Sequence, residues 1–118
     1  MKAAVIAALR TFSAAGLPPN AQAEALEHLG MDLVSSLDAG LKLYGPDRAR
    51  MAWTLACLGM ERTKWWRVPW SSLAPILAKS GLDPLSLAFS APSEAVAKAL
   101  ILRAGSHLRG RIRFQVTQ

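Results

Sequence analysis

Five breaks in the sequence limit what can lie between them. "GLPPN", "YGP", "WWRVPW", "SGLDP" and "SAPS" each place proline or glycine where a helix or strand cannot run on. Proline removes a backbone donor and clashes with the preceding turn, while glycine tolerates the backbone of turns and helix ends. The segments between these breaks are short. Most carry apolar residues three and four apart, the spacing of a helix with one buried face.

The first helix is expected from Lys2 to Ala15, with Val5, Leu9 and Phe12 on one face and Gly16 as its stop. Lys2, the apolar run and the small residues after it share the outline of a signal peptide. Arg10 interrupts that run early, so a helix is the reading adopted. Asn20 is the expected cap of a second helix, in which Leu26, Leu29, Leu33, Leu37, Leu41 and Tyr44 draw one stripe. Gly30 lies inside that stripe and predicts a kink or a division into two helices. A third helix, about Pro46 to Arg62, is apolar on most sides and is the expected central one, with Trp53 and Cys57 as core residues. A fourth covers about Ser71 to Lys79, and Asp83 caps a short fifth segment ending at Phe89. A sixth starts near Pro92, capped by Ser90 or Ser93, buries Val96, Leu100 and Ile101, and stops at Gly105.

The end of the chain, "HLRGRIRFQVTQ", has another period. Leu108, Gly110, Ile112, Phe114 and Val116 alternate with Arg109, Arg111, Arg113, Gln115 and Thr117, which predicts a strand with one apolar and one wet face. The expected fold is therefore mainly α: a compact bundle of five to six helices with a short C-terminal β-strand over 108–118, in one domain spanning 1–118. A chain of 118 residues can bury one core without staples, and 52% hydrophobic against 19% charged residues argues against disorder.

Cys57 is the single cysteine, so no disulfide forms within the chain and a reducing cytoplasm is the expected setting. No apolar stretch approaches the roughly 18–20 residues of a membrane span, so no membrane partner is expected. The net charge of +6 is divided unevenly. Residues 1–45 hold three bases and four acids; residues 46–118 hold eleven bases and four acids, or +7. After Glu94 there is no acidic side chain, while Lys98, Arg103, Arg109, Arg111 and Arg113 follow. This asymmetry points to a polyanionic partner, nucleic acid before membrane and DNA before RNA.

Catalytic patterns are missing. His28 and His107 are far apart in sequence, no zinc-ligand spacing occurs, and neither a phosphate-binding glycine loop nor a nucleophile elbow is present. No enzyme activity, metal or cofactor is expected. Glu24, Glu27, Asp32 and Asp38 read as the solvated face of the second helix. "LAPILAKSGLDPLSLAF" has the outline of a helix-turn-helix, with Leu82 and Leu87 at its apolar positions. Its second helix has no Arg, Lys, Asn or Gln with which to read a base edge.

"ERTKWWRVPW" is the stronger surface. Arg62, Lys64 and Arg67 interleave with Trp65, Trp66 and Trp70, a mixture suited to holding phosphates and stacking bases. The alternative is that the rings plug the core while the cations reach outward. The terminal strand needs a partner for its backbone, supplied by Trp65–Val68, by a second copy, or by a foreign sheet. A homodimer through that strand would repeat the arginine row around a two-fold axis. The expected function is a small non-catalytic nucleic-acid-binding regulatory or accessory protein. Its expected contacts are Arg62, Lys64, Trp65, Trp66, Arg67, Arg103, Arg109, Arg111 and Arg113. The competing class is a protein-binding adaptor or inhibitor that docks by the strand and the tryptophan patch.

Overall fold

The computed structural model describes residues 2–60 and 64–116 of the backbone, with side chains described over 3–60 and 64–105. Among the described residues it is mainly helical, in the order α1 (Lys2–Ala14), α2 (Pro19–His28), α3 (Leu33–Leu43), α4 (Asp47–Leu58), a 3₁₀ turn (Trp65–Arg67), α5 (Trp70–Lys79), α6 (Pro84–Phe89) and α7 (Glu94–Val116).

The stripe expected from Leu26 to Tyr44 divides at Gly30, which takes φ +82°. A side chain rarely adopts that backbone, so glycine is what lets the chain turn there. Asp32 then caps α3 by accepting the Ser35 N–H at 2.6 Å. It is exposed, as the sequence predicts, and serves in addition as the cap of α3. Asn20 does not cap α2: the helix starts one residue earlier, at Pro19, and Pro18 is the cap position. Proline at the first helical position has no N–H, so the helix start carries one unsatisfied donor fewer.

The helix α4, expected to be the central one, is buried mainly over its second half, and the central place goes to α3, which packs on α1, α2, α4 and α5. Trp53, Cys57 and Leu58 are buried on α4, and α2 and α3 pack against it. The helix ends at Leu58, short of the expected Arg62: Gly59 is its C-cap and Met60 is not helical, while residues 61–63 lie outside the described set. Trp53 donates its Nε1–H to the Ser36 carbonyl at 3.2 Å, and its ring lies 5.6 Å from that of Tyr44. Gln22, buried in α2, donates to the Leu17 carbonyl at 2.6 Å and accepts a hydrogen bond from the Tyr44 hydroxyl. One polar residue therefore ties the α1–α2 turn to the end of α3. The buried core continues from Val5 and Leu9 through Leu26, Leu37, Trp53, Leu73 and Leu87 to Leu100.

The terminal strand is not formed. Residues 108–116 belong to α7, which passes Gly105 and Gly110 without stopping, and among the described residues there is no strand. The reason lies in the backbone. A lone strand leaves its donors and acceptors without partners, whereas a helix satisfies them internally. The alternating pattern also contains a spacing of four, at Leu108, Ile112 and Val116, and Arg and Leu are good helix formers. Trp65–Val68, the proposed internal strand partner, is instead the 3₁₀ turn and its exit. Thr117 and Gln118 lie outside the described residues. Ile101, expected inside, is half exposed, because the buried face of α7 runs through Leu100 and Ala104.

Candidate nucleic-acid interface

The connector between α4 and α5 is shaped by Lys64, whose φ of 44° and ψ of 51° put it in the left-handed region. Such a residue reverses the chain locally, at a conformational cost for any side chain with a Cβ. The next two residues then point to different environments. Trp65 is buried, 1% exposed, and Trp66 is 49% exposed. Of the adjacent pair, only Trp66 offers an accessible indole. Trp65 is removed from the set of stacking residues by its burial.

Arg103 also leaves the set of free cations. From α7 it donates to the Trp65 carbonyl at 2.7 Å and to the Val68 carbonyl. Its guanidinium lies 5.2 Å from the centre of the Trp65 ring and 5.7 Å from that of Trp70. Partial burial lowers the guanidinium's pKa. The side chain clamps the 3₁₀ turn onto α7, as a structural cation that spends two of its five N–H donors on main-chain carbonyls.

Lys64 and Arg67 flank the tryptophan pair, are exposed, and have no ion-pair partner among the described residues. Several acids are engaged close to home: Asp47 with Arg50 at 3.0 Å, Glu94 with Lys98 at 3.2 Å, and Asp38 with Lys42 at 3.3 Å. Arg62 lies outside the described residues.

Arg109, Arg111 and Arg113 are all on α7, so the straight row expected of a strand does not exist. At 100° per residue, positions 109 and 113 fall one turn apart on one side and position 111 falls on the opposite side. The three still concentrate charge along one helix, but no common face holds them. The homodimer argued from the terminal strand loses its basis with the strand.

Sequence reasoning missed a cleft beside the exposed indole. It has a volume of about 360 Å³ and a mainly apolar wall that includes Leu58, Met60, Trp65, Trp66, Val96 and Ala99. Ala95 and Ala99, four apart on α7, are the small residues that leave room in front of the tryptophans. That pairing was the one signal available, and its meaning depends on a contact more than thirty residues distant. A second open cleft, also about 360 Å³, shares Gly59 and Met60 with it and includes Asn20 and Glu24.

Among the described residues no cluster of His, Cys, Asp or Glu could hold a metal, and no helix is long and apolar enough to cross a membrane. Cys57 is buried, and burial pushes its thiol pKa up. It stays protonated and is a poor nucleophile. No protein-family model, curated protein or solved structure matches the chain.

Proposed function

We propose that the protein is a small, non-catalytic nucleic-acid-binding protein of the cytoplasm, regulatory or accessory in role, with DNA favoured over RNA. The observation that carries this reading is the exposed Trp66 set between Lys64 and Arg67, neither of which has an ion-pair partner among the described residues. Unpaired cations beside an indole face suit a polyanion with aromatic bases. Arg109, Arg111 and Arg113 extend the positive field along α7, in the half of the chain that carries +7.

The test is binding of labelled DNA and RNA by anisotropy over a range of salt concentrations. Replacing Arg109, Arg111 and Arg113 by glutamine removes charge and retains helix-forming residues. Affinity should fall at every sequence tried, and the slope of log K against log salt should flatten by up to about three units. A parent protein that binds no nucleic acid at low salt, or a triple variant equal to the parent, overturns the reading.

A second reading, a protein-binding adaptor, is favoured by a different observation. Phe89 at the end of α6 is 90% exposed, and Leu85, Ile101 and Leu102 are exposed on α6 and α7. Exposed apolar side chains of this size suit a protein partner. Docking there would respond little to salt, which separates it from phosphate binding.

A further inference from the structure

We propose that the cleft beside Trp66 receives one unpaired base of a single-stranded nucleic acid, so that the preferred ligand is a single strand and not a duplex. This rests on the nucleic-acid reading above and specifies its substrate. The cleft, at about 360 Å³, is near the lower limit of roughly 300–1,000 Å³ for sites that enclose small organic groups. It is lined by the buried Trp65, the half-exposed Trp66, and Val96 and Ala99 of α7, and of the two rings Trp66 is the one with a face open to a ligand. A wall of that kind accepts a flat ring and rejects a phosphate, which would lose its hydration without gaining a partner.

The neighbouring charges do not line the slot. Lys64 and Arg67 are the residues immediately before and after the tryptophan pair, both exposed, both without an ion-pair partner among the described residues. A base in the cleft would carry its own phosphates towards them. Glu94 lies near the same end of α7, and its carboxylate is held by Lys98 at 3.2 Å. An uncharged apolar partner would gain nothing from the two cations, so the charge favours a polyanion.

The geometry also selects strandedness. In a duplex each base is covered on both faces and offers only its edges in the grooves. An apolar slot with an exposed aromatic ring engages faces, which only an unpaired base presents. Ser93, a hydroxyl on the cleft wall, already accepts the Val96 N–H at 3.2 Å as the cap of α7. With so little to read a base edge, sequence preference should be weak.

The experiment uses the full chain with fluorescein-labelled oligothymidine and a mixed-sequence duplex of equal length, at fixed low salt. Oligothymidine should bind at least tenfold tighter than the duplex. Trp66→Ala, at a half-exposed position, should lower oligothymidine affinity about 10- to 100-fold, the scale of one lost stacking contact, and leave duplex binding unchanged. Ala99→Leu, which fills the cleft without touching charge, should produce the same selective loss, with its fold checked by circular dichroism. Equal binding of both ligands, or full affinity in Trp66→Ala, overturns the inference. If in that case the glutamine triple variant still weakens both ligands, the nucleic-acid reading stands alone. If neither ligand binds the parent, both readings fall together.

Discussion

The guanidinium of Arg103 donates to the main-chain carbonyl of Trp65 at 2.7 Å, across 38 positions of sequence. The same group stacks near the Trp65 and Trp70 rings. This contact fixes which of two neighbouring tryptophans is buried. By holding the 3₁₀ turn against α7 it seats Trp65 in the core, and Trp66 is left half exposed beside the cleft. Position, not composition, separates the two rings.

Arg103→Lys should destabilise the protein nearly as much as Arg103→Ala, by about 1.5–3 kcal/mol, the scale of a hydrogen bond to a charged donor. An ammonium carries the charge but cannot reach two carbonyls with a planar fork. Urea unfolding followed by tryptophan fluorescence measures it. A lysine variant as stable as the parent would show that charge alone suffices.

Gly40 and Trp53 set a second close fit. A Cβ at Gly40 would lie 1.9 Å from Trp53 Nε1, so the indole must move if anything larger is present. Gly40→Ala should cost about 1–3 kcal/mol, towards the upper end, because Trp53 is fully buried and tied to the Ser36 carbonyl. In a Trp53→Phe background, where the ring is smaller, the same substitution should cost less. A double-mutant cycle reads the coupling directly.

Much of the helical order was legible because punctuation and periodicity are local. The ends of α1 and α5, the break at Gly30, the burial of Trp53 and Cys57 on α4 and the Asp83 cap of α6 follow from residues within a few positions of each other. The terminal segment was misread because an alternating pattern includes a spacing of four, and local pattern alone does not say which is used. The deciding term is non-local: a strand needs a partner, and the described residues form none. The candidate site was legible only as a cluster of residue types. Burial of Trp65, exposure of Trp66 and the occupation of Arg103 all depend on α7 meeting a connector far away in sequence.

Cys57 should resist thiol reagents in the native protein and react on unfolding. Burial raises its pKa above the ordinary 9.0, so the folded form keeps the proton where the unfolded chain loses it. The unfolded state then binds fewer protons, and stability should fall as pH rises above about 9. The slope is up to about 1.4 kcal/mol per pH unit from this thiol. Cys57→Ala should lack that component. Rapid labelling under native conditions at neutral pH would contradict the burial.

Lys64→Gly should separate stability from binding. Glycine adopts φ 44° without the cost borne by lysine, so the melting temperature should hold or rise. The removed charge should weaken nucleic-acid affinity and lower the salt slope by about one unit. A melting temperature that drops would mean the lysine side chain supports the turn.

Gly105 tests the helical course of the terminal segment. It lies inside α7, has no positive φ, and a Cβ there would meet nothing within 4 Å beyond its own stretch of helix among the described residues. In such a helix interior, alanine avoids the entropy that glycine loses on ordering. Gly105→Ala should therefore stabilise the protein by about 0.5–1 kcal/mol and raise the helical circular dichroism signal. Were Gly105 the end of the helix, as its place before the alternating segment first suggests, alanine would remove a useful stop. The variant would then be neutral or destabilised. The sign of the change in unfolding free energy distinguishes the two courses of the chain.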